Sequence, residues 1–153
     1  MLVPPEPPAA REPAGPPTRS AAAALRRAAV PLAVLGSAVA AFGYVAAVDP
    51  NNPGHYPVCP LLHYTGVYCP GCGGLRGAHA LAHGHLGAAL HDNALAVAGY
   101  VVFAAVWTAW CVAALRGRPF RPTITRSHRW AFWALLIGFG VVRNLPFGAA
   151  LAP

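Results

Sequence analysis

Apolar and polar residues fall in long blocks along this chain rather than in short periods. Residues 28–48 are 21 consecutive uncharged positions, directly preceded by Arg26 and Arg27. A helix rises about 1.5 Å per residue, so such a run can cross roughly 30 Å of hydrocarbon. A second uncharged run covers residues 94–115, with Asn93 placed to cap its N-terminus and Asp92 matched to the helix dipole. Trp107 and Trp110 lie toward its far end, where indole rings suit a membrane interface. A third run starts at Trp130, stays apolar to Val142, meets Arg143-Asn144 and resumes to Leu151. The pattern predicts an all-α membrane protein with three transmembrane helices, at about 28–48, 94–115 and 130–147. The outer loop, residues 49–93, is predicted to carry a short amphipathic or re-entrant helix. A cleaved signal peptide rivals the first span, with Ala38-Val39-Ala40 as its cleavage site; the run continues apolar to Val48, which favours an uncleaved span.

The 153 residues suffice for one domain, here a membrane domain over 28–153. Residues 1–27 read as a disordered Pro/Ala-rich cytoplasmic tail, since seven prolines in the first 24 positions leave too little apolar surface to offset chain entropy. Charged residues are only 10% of the chain against 56% hydrophobic, far from the roughly one-quarter charged of a soluble domain.

The net charge of +7 does not indicate nucleic acid, because the arginines flank the apolar runs instead of forming a basic stripe with aromatics. Arg11, Arg19, Arg26 and Arg27 precede the first run, and Arg116, Arg118, Arg121, Arg126 and Arg129 separate the second from the third; residues 49–93 hold Arg76 alone. The positive-inside rule therefore predicts a multi-pass plasma-membrane protein with a cytoplasmic N-terminus, an outward-facing 49–93 segment and an external C-terminus. The lipid bilayer is its expected partner, and an unknown membrane protein is compatible with the same surface.

The outer segment carries the chemistry. After the turn-forming run Asp49-Pro50-Asn51-Asn52-Pro53-Gly54 come Cys59, Cys69 and Cys72. Cys111 falls in the second span as a small packing residue. Three outer thiols in an oxidising compartment leave three readings open. A structural disulfide would join Cys69 to Cys72, or either to Cys59. A metal site, with zinc as the metal, would take Cys59, Cys69 and Cys72 with His79 or His83. A redox pair would use Cys69 as the N-cap of a helix starting at Pro70, the positive helix end favouring thiolate. On that helix Cys72, Arg76, His79 and His83 form one polar stripe, and Gly73 and Gly77 have the small-residue spacing that allows close helix approach. His55, His63, His85, His91 and His128 join no such constellation.

Arg143 lies about 20 Å along its helix from Trp130, at a depth where a charge marks a functional site by default. The other reading has it snorkelling to the interface beside Asn144. Arg76, Arg143 and Asn144 are the candidate polar cluster. No catalytic residue is assigned: Asp49 and Asp92 are the only acids outside the tail, and no glycine-rich phosphate loop with a lysine is present.

Cys59-Pro60, Thr65-Gly66, Cys69-Pro70-x-Cys72-Gly73 with Arg76, then Gly84 and Asn93, resemble the bacterial membrane family catalogued as domain of unknown function 2752. The likeness is to its actinobacterial members, which tend to share the Gly-Leu-Arg followed by His79 and His83 and the closing Arg143-Asn144-Leu145-Pro146. It covers roughly residues 28–153. His85 stands where the family often has an acid, and Ala94 where it often has proline. The resemblance implies a membrane architecture and no activity. The combined expectation is a small integral membrane protein with an extracytoplasmic Cys-Pro-Gly-Cys-Gly module, structural or binding in role; the alternative is a membrane thiol–disulfide or metal-handling protein.

Overall fold

The structure is a computed structural model, and it describes residues 21–152. Among these the fold is all helical: α1 (Ala21–Ala47), α2 (Pro60–Thr65), α3 (Gly74–Ala82), α4 (Leu86–Leu115), α5 (Arg126–Val142) and a final 3-10 segment, Pro146–Leu151. Two helices, over Ala22–Ala47 and Leu86–Leu115, are long and apolar enough to cross a membrane. The expected tail lies outside the described residues up to position 20. Its remainder, residues 21–27, is helical instead, because alanine, leucine and arginine are among the strongest helix formers.

The third element is shorter than expected. α5 ends at Val142, and the chain turns through Arg143 before the 3-10 segment, so 130–147 is not one continuous helix. Pro146 supplies the break, since it has no N–H to donate and its ring opposes continuation of the helix. Thr125 caps the other end: its hydroxyl accepts from the His128 N–H while the His128 ring answers the Thr125 N–H.

Side-chain placement is inverted relative to a water-soluble core. Large apolar residues such as Val39, Val101, Val102, Trp130 and Ile137 are exposed, whereas Arg143 and Asn93 are each only 1% exposed. A shell of apolar side chains around a few buried polar groups is compatible with a membrane protein.

The amphipathic pattern places a helix at the membrane surface, beginning at Pro70. The helix observed there, α3, begins at Gly74 and packs against both α4 and α1, with Gly77, Ala78 and Ala80 buried. Gly77 allows this approach: a Cβ there would come within 3.1 Å of the Ala89 carbonyl oxygen. Gly73 has a different role from the packing one expected of it. At φ 79° it is the left-handed residue that turns the chain from the Cys-Pro-Gly-Cys turn into α3. α4 is bent at Asn93, whose backbone is extended (φ −164°, ψ 92°). The Asn93 Oδ1 accepts from the Ala96 N–H at 2.9 Å, so the expected cap is formed, with a further helical segment from Leu86 preceding it. α1 meets α4 through Trp107, whose indole N–H donates to the Pro31 carbonyl at 2.9 Å.

Candidate functional site: a three-cysteine cluster on a clamped turn

Cys59 and Cys69 each precede a proline, and each begins a tight turn of chain. Pro60 occupies the first turn of α2, where its missing N–H is not needed, leaving Cys59 at the N-cap position. Residues 70–73 form a second turn, in which the Cys72 N–H donates to the Cys69 carbonyl at 3.1 Å. The two turns bring the sulfurs together. Cys69 Sγ lies 3.2 Å from Cys72 Sγ and 3.6 Å from Cys59 Sγ. All three sulfurs fall within 4.8 Å of one another, and all three cysteines are free thiols.

The turn is held by polar side chains that reach it from α4 and from the end of α5. Asn93 Nδ2 donates to the carbonyls of Pro70 and Cys72, each at 2.9 Å. Arg143 Nη1 donates to the carbonyls of Cys69 (3.1 Å) and Cys72 (3.0 Å). Asn144 accepts from the Tyr68 N–H and donates to the Tyr68 carbonyl, both at 2.8 Å, pairing with that backbone as a neighbouring strand would. Gly74 N–H donates to the Gly71 carbonyl, and Tyr100 hydroxyl donates to the Gly74 carbonyl at 3.1 Å. Every carbonyl from Tyr68 to Cys72 thus has a partner, which an apolar environment demands of an irregular backbone.

Arg143 is paired on one side only. Its guanidinium carbon lies 5.0 Å from the Phe139 ring centre and 5.8 Å from that of Tyr68. Nε and Nη2 are buried without a hydrogen-bond partner. The charge is therefore turned inward against the cysteine turn instead of toward the surface. Arg76 stands in the first turn of α3, half-buried, and does not share the carbonyls that Arg143 takes.

The histidines do not join the sulfurs. His79 Nδ1 lies 2.8 Å from the Val45 carbonyl and therefore carries the hydrogen, and its Nε2 is 3.9 Å from Asp49. His83 Nδ1 lies 2.9 Å from the His79 carbonyl, and the two rings stack at 4.3 Å. His79 thus caps a carbonyl at the end of α1. The expected stripe of Cys72, Arg76, His79 and His83 is broken because Cys72 precedes the left-handed Gly73 and is not part of α3. For the same reason Cys69 does not cap that helix.

The three thiols differ in acidity. The Leu62 N–H in the first turn of α2, followed by the Cys69 thiol, holds Cys59 below the ordinary thiol range. Burial, reinforced by hydrogen bonding with Cys69, pushes Cys72 up to about 12. Asp49 is held below the usual carboxylate range by the Asn51 N–H and side chain.

Three sulfurs around one metal ion at about 2.3 Å each would sit about 3.8 Å apart. The observed separations fit that arrangement with small side-chain rotations, whereas a disulfide requires about 2.05 Å. Asn93, Tyr68 and Tyr100 are site residues that the sequence pattern does not assign to the site. For Asn93 and Tyr100 the available signal is a polar side chain at the edge of, or inside, an apolar run.

Fold and site together describe a helical protein with two membrane-length apolar helices and a cysteine-bearing turn clamped by side chains from α4 and from the end of α5. Residues 59–107 match the family described as Protein of unknown function (DUF2752), so the family that the motifs resemble is the one this segment belongs to. The matched segment contains all three clustered cysteines and Asn93, and it stops short of Arg143. No curated protein and no solved structure matches the chain.

Proposed function

We propose that this protein is a multi-pass integral membrane protein whose outer face carries a three-thiolate centre for a soft metal ion. Zinc is the first expectation, held by Cys59, Cys69 and Cys72. The observation behind this reading is the gathering of three free sulfurs within 4.8 Å, two of them on a turn held by side chains from α4 and from the end of α5. Charge balance supports it. A divalent ion with three thiolates carries one net negative charge, and Arg143, bonded to the carbonyls of two of the three cysteines, supplies the compensating positive charge inside an apolar shell.

In this reading α1 and α4 cross the bilayer, and α5 with its 3-10 extension makes a third, shorter crossing. The nine arginines on one side against Arg76 on the other set the N-terminus in the cytoplasm and the cysteine cluster and C-terminus outside. A second reading is favoured by the 3.2 Å approach of Cys69 to Cys72: a thiol–disulfide couple in the same compartment.

One experiment separates the two. The full-length protein is purified in detergent without reductant, and its metal content and intact mass are measured together. One metal equivalent, with all three outer thiols protected until a chelator is added, supports the metal centre. A metal-free protein with the mass loss of a disulfide retires it in favour of the redox couple.

A further inference from the structure

Cys59 and Cys72 share the wall of a cavity of about 450 Å³ with residues 50–54 and 56–58 and with Arg76. Three features of this cavity bear on the metal centre. First, the cluster offers three ligands: among the described residues no histidine or carboxylate joins the three sulfurs, and His79 and His83 face backbone carbonyls elsewhere. A site with three protein ligands keeps one position for an exogenous group. Second, two of the three cysteine residues border the cavity, so an approach to the centre is available from that side. Third, Arg76 faces the same cavity, and among the described residues no carboxylate lies within ion-pairing distance of it.

Taking the three-thiolate centre as its premise, we infer that this cavity admits a low-molecular-weight thiolate as the fourth ligand of the metal, with Arg76 as the residue that receives its charge. A centre already carrying one net negative charge repels an incoming anion, so a cation at the entrance is required. Arg143 is committed beneath the turn, and Arg76 is the cation that remains at the cavity. The step is a ligand exchange. The incoming thiol releases its proton to solvent, a metal–solvent bond breaks and a metal–sulfur bond forms, with no change in oxidation state. Such a centre can pass its ion to, or accept it from, a small thiol carrier.

The test uses the full-length protein in detergent, loaded with cobalt(II) as a spectroscopic stand-in for zinc and titrated with 2-mercaptoethanol. The cobalt–thiolate absorption is expected to change saturably from a three-sulfur to a four-sulfur spectrum while the cobalt stays bound. The Arg76→Gln variant is expected to bind cobalt normally but to require about tenfold more thiol at the midpoint, the weight of one charge-assisted contact. Arg76→Lys should recover part of the loss. A cobalt spectrum unmoved by thiol, or cobalt stripped from the protein, overturns the open position while leaving the three-thiolate centre standing. An unchanged midpoint in Arg76→Gln overturns the role of Arg76. Absence of any cobalt–thiolate band overturns the centre itself, and this inference with it.

Discussion

Asn93 and Arg143 grip the same turn, yet their removal should have very different consequences. Asn93→Leu deletes the bond to the Cys72 carbonyl, the cap on the Ala96 N–H and, among the described residues, the only hydrogen bond to the Pro70 carbonyl. The lost cap is worth about 1 kcal/mol, and a carbonyl left unpaired in a poorly hydrated place costs about 1–3 kcal/mol. Together these loosen the turn by about 2–4 kcal/mol. Arg143→Met deletes two bonds, but neither carbonyl is orphaned. The Cys69 carbonyl keeps the Cys72 N–H, and the Cys72 carbonyl keeps Asn93. The variant further removes two buried donors that have no partner, Nε and Nη2, so the net effect should lie within about 1 kcal/mol of zero. The assay is the rate at which a maleimide alkylates Cys72, which is 7% exposed and reacts only when the turn opens. Asn93→Leu should accelerate labelling roughly 30- to 1,000-fold, and Arg143→Met by less than about fivefold. Comparable acceleration in the two variants, or none in Asn93→Leu, would refute the assignment of the turn's stability to Asn93.

Arg143→Met should nevertheless weaken zinc or cobalt binding by at least about tenfold, measured by competition with a chromophoric chelator, because the compensating charge is gone. His79→Ala with His83→Ala should leave metal stoichiometry unchanged, since both rings face carbonyls away from the sulfurs; loss of metal would return a histidine to the ligand set. In alkylation of the metal-free protein against pH, Cys59 should react at lower pH than an ordinary thiol and Cys72 last, because the Cys59 thiolate is favoured and Cys72 stays protonated until about pH 12. The opposite order by peptide mass spectrometry would contradict the local electrostatics. Gly77→Val should separate α3 from α4 and destabilise the protein by about 1–3 kcal/mol, read as loss of heat resistance in detergent, because its Cβ meets the Ala89 carbonyl at 3.1 Å. For topology, an impermeant thiol reagent on intact reduced cells should label His55→Cys and miss Phe120→Cys.

The helical class, the two membrane-length runs and the family resemblance of the cysteine segment were legible in the sequence, because each depends on local composition or on closely spaced motifs. A run of about 20 apolar residues needs no tertiary partner to be read as a span. Cys-Pro and Cys-Pro-x-Cys-Gly were legible for the same reason, and so was Asn93 as a cap. What the sequence could not decide was which of several periodic patterns would prevail. A helix wound from Pro70 puts Cys72, Arg76, His79 and His83 on one face, but a single left-handed residue, Gly73, separates Cys72 from the rest. That choice depends on what the turn gains by staying open. Its carbonyls are met by Asn93, Arg143 and Asn144, the last two more than 70 residues away along the chain. Those partners also decide that Arg143 points inward, while His79 meets a carbonyl of α1 and His83 one of α3 instead of the sulfurs. Hydrogen bonds between distant segments leave no periodic trace in a sequence, so only the tertiary structure could assemble the site from motifs that the chain displays separately.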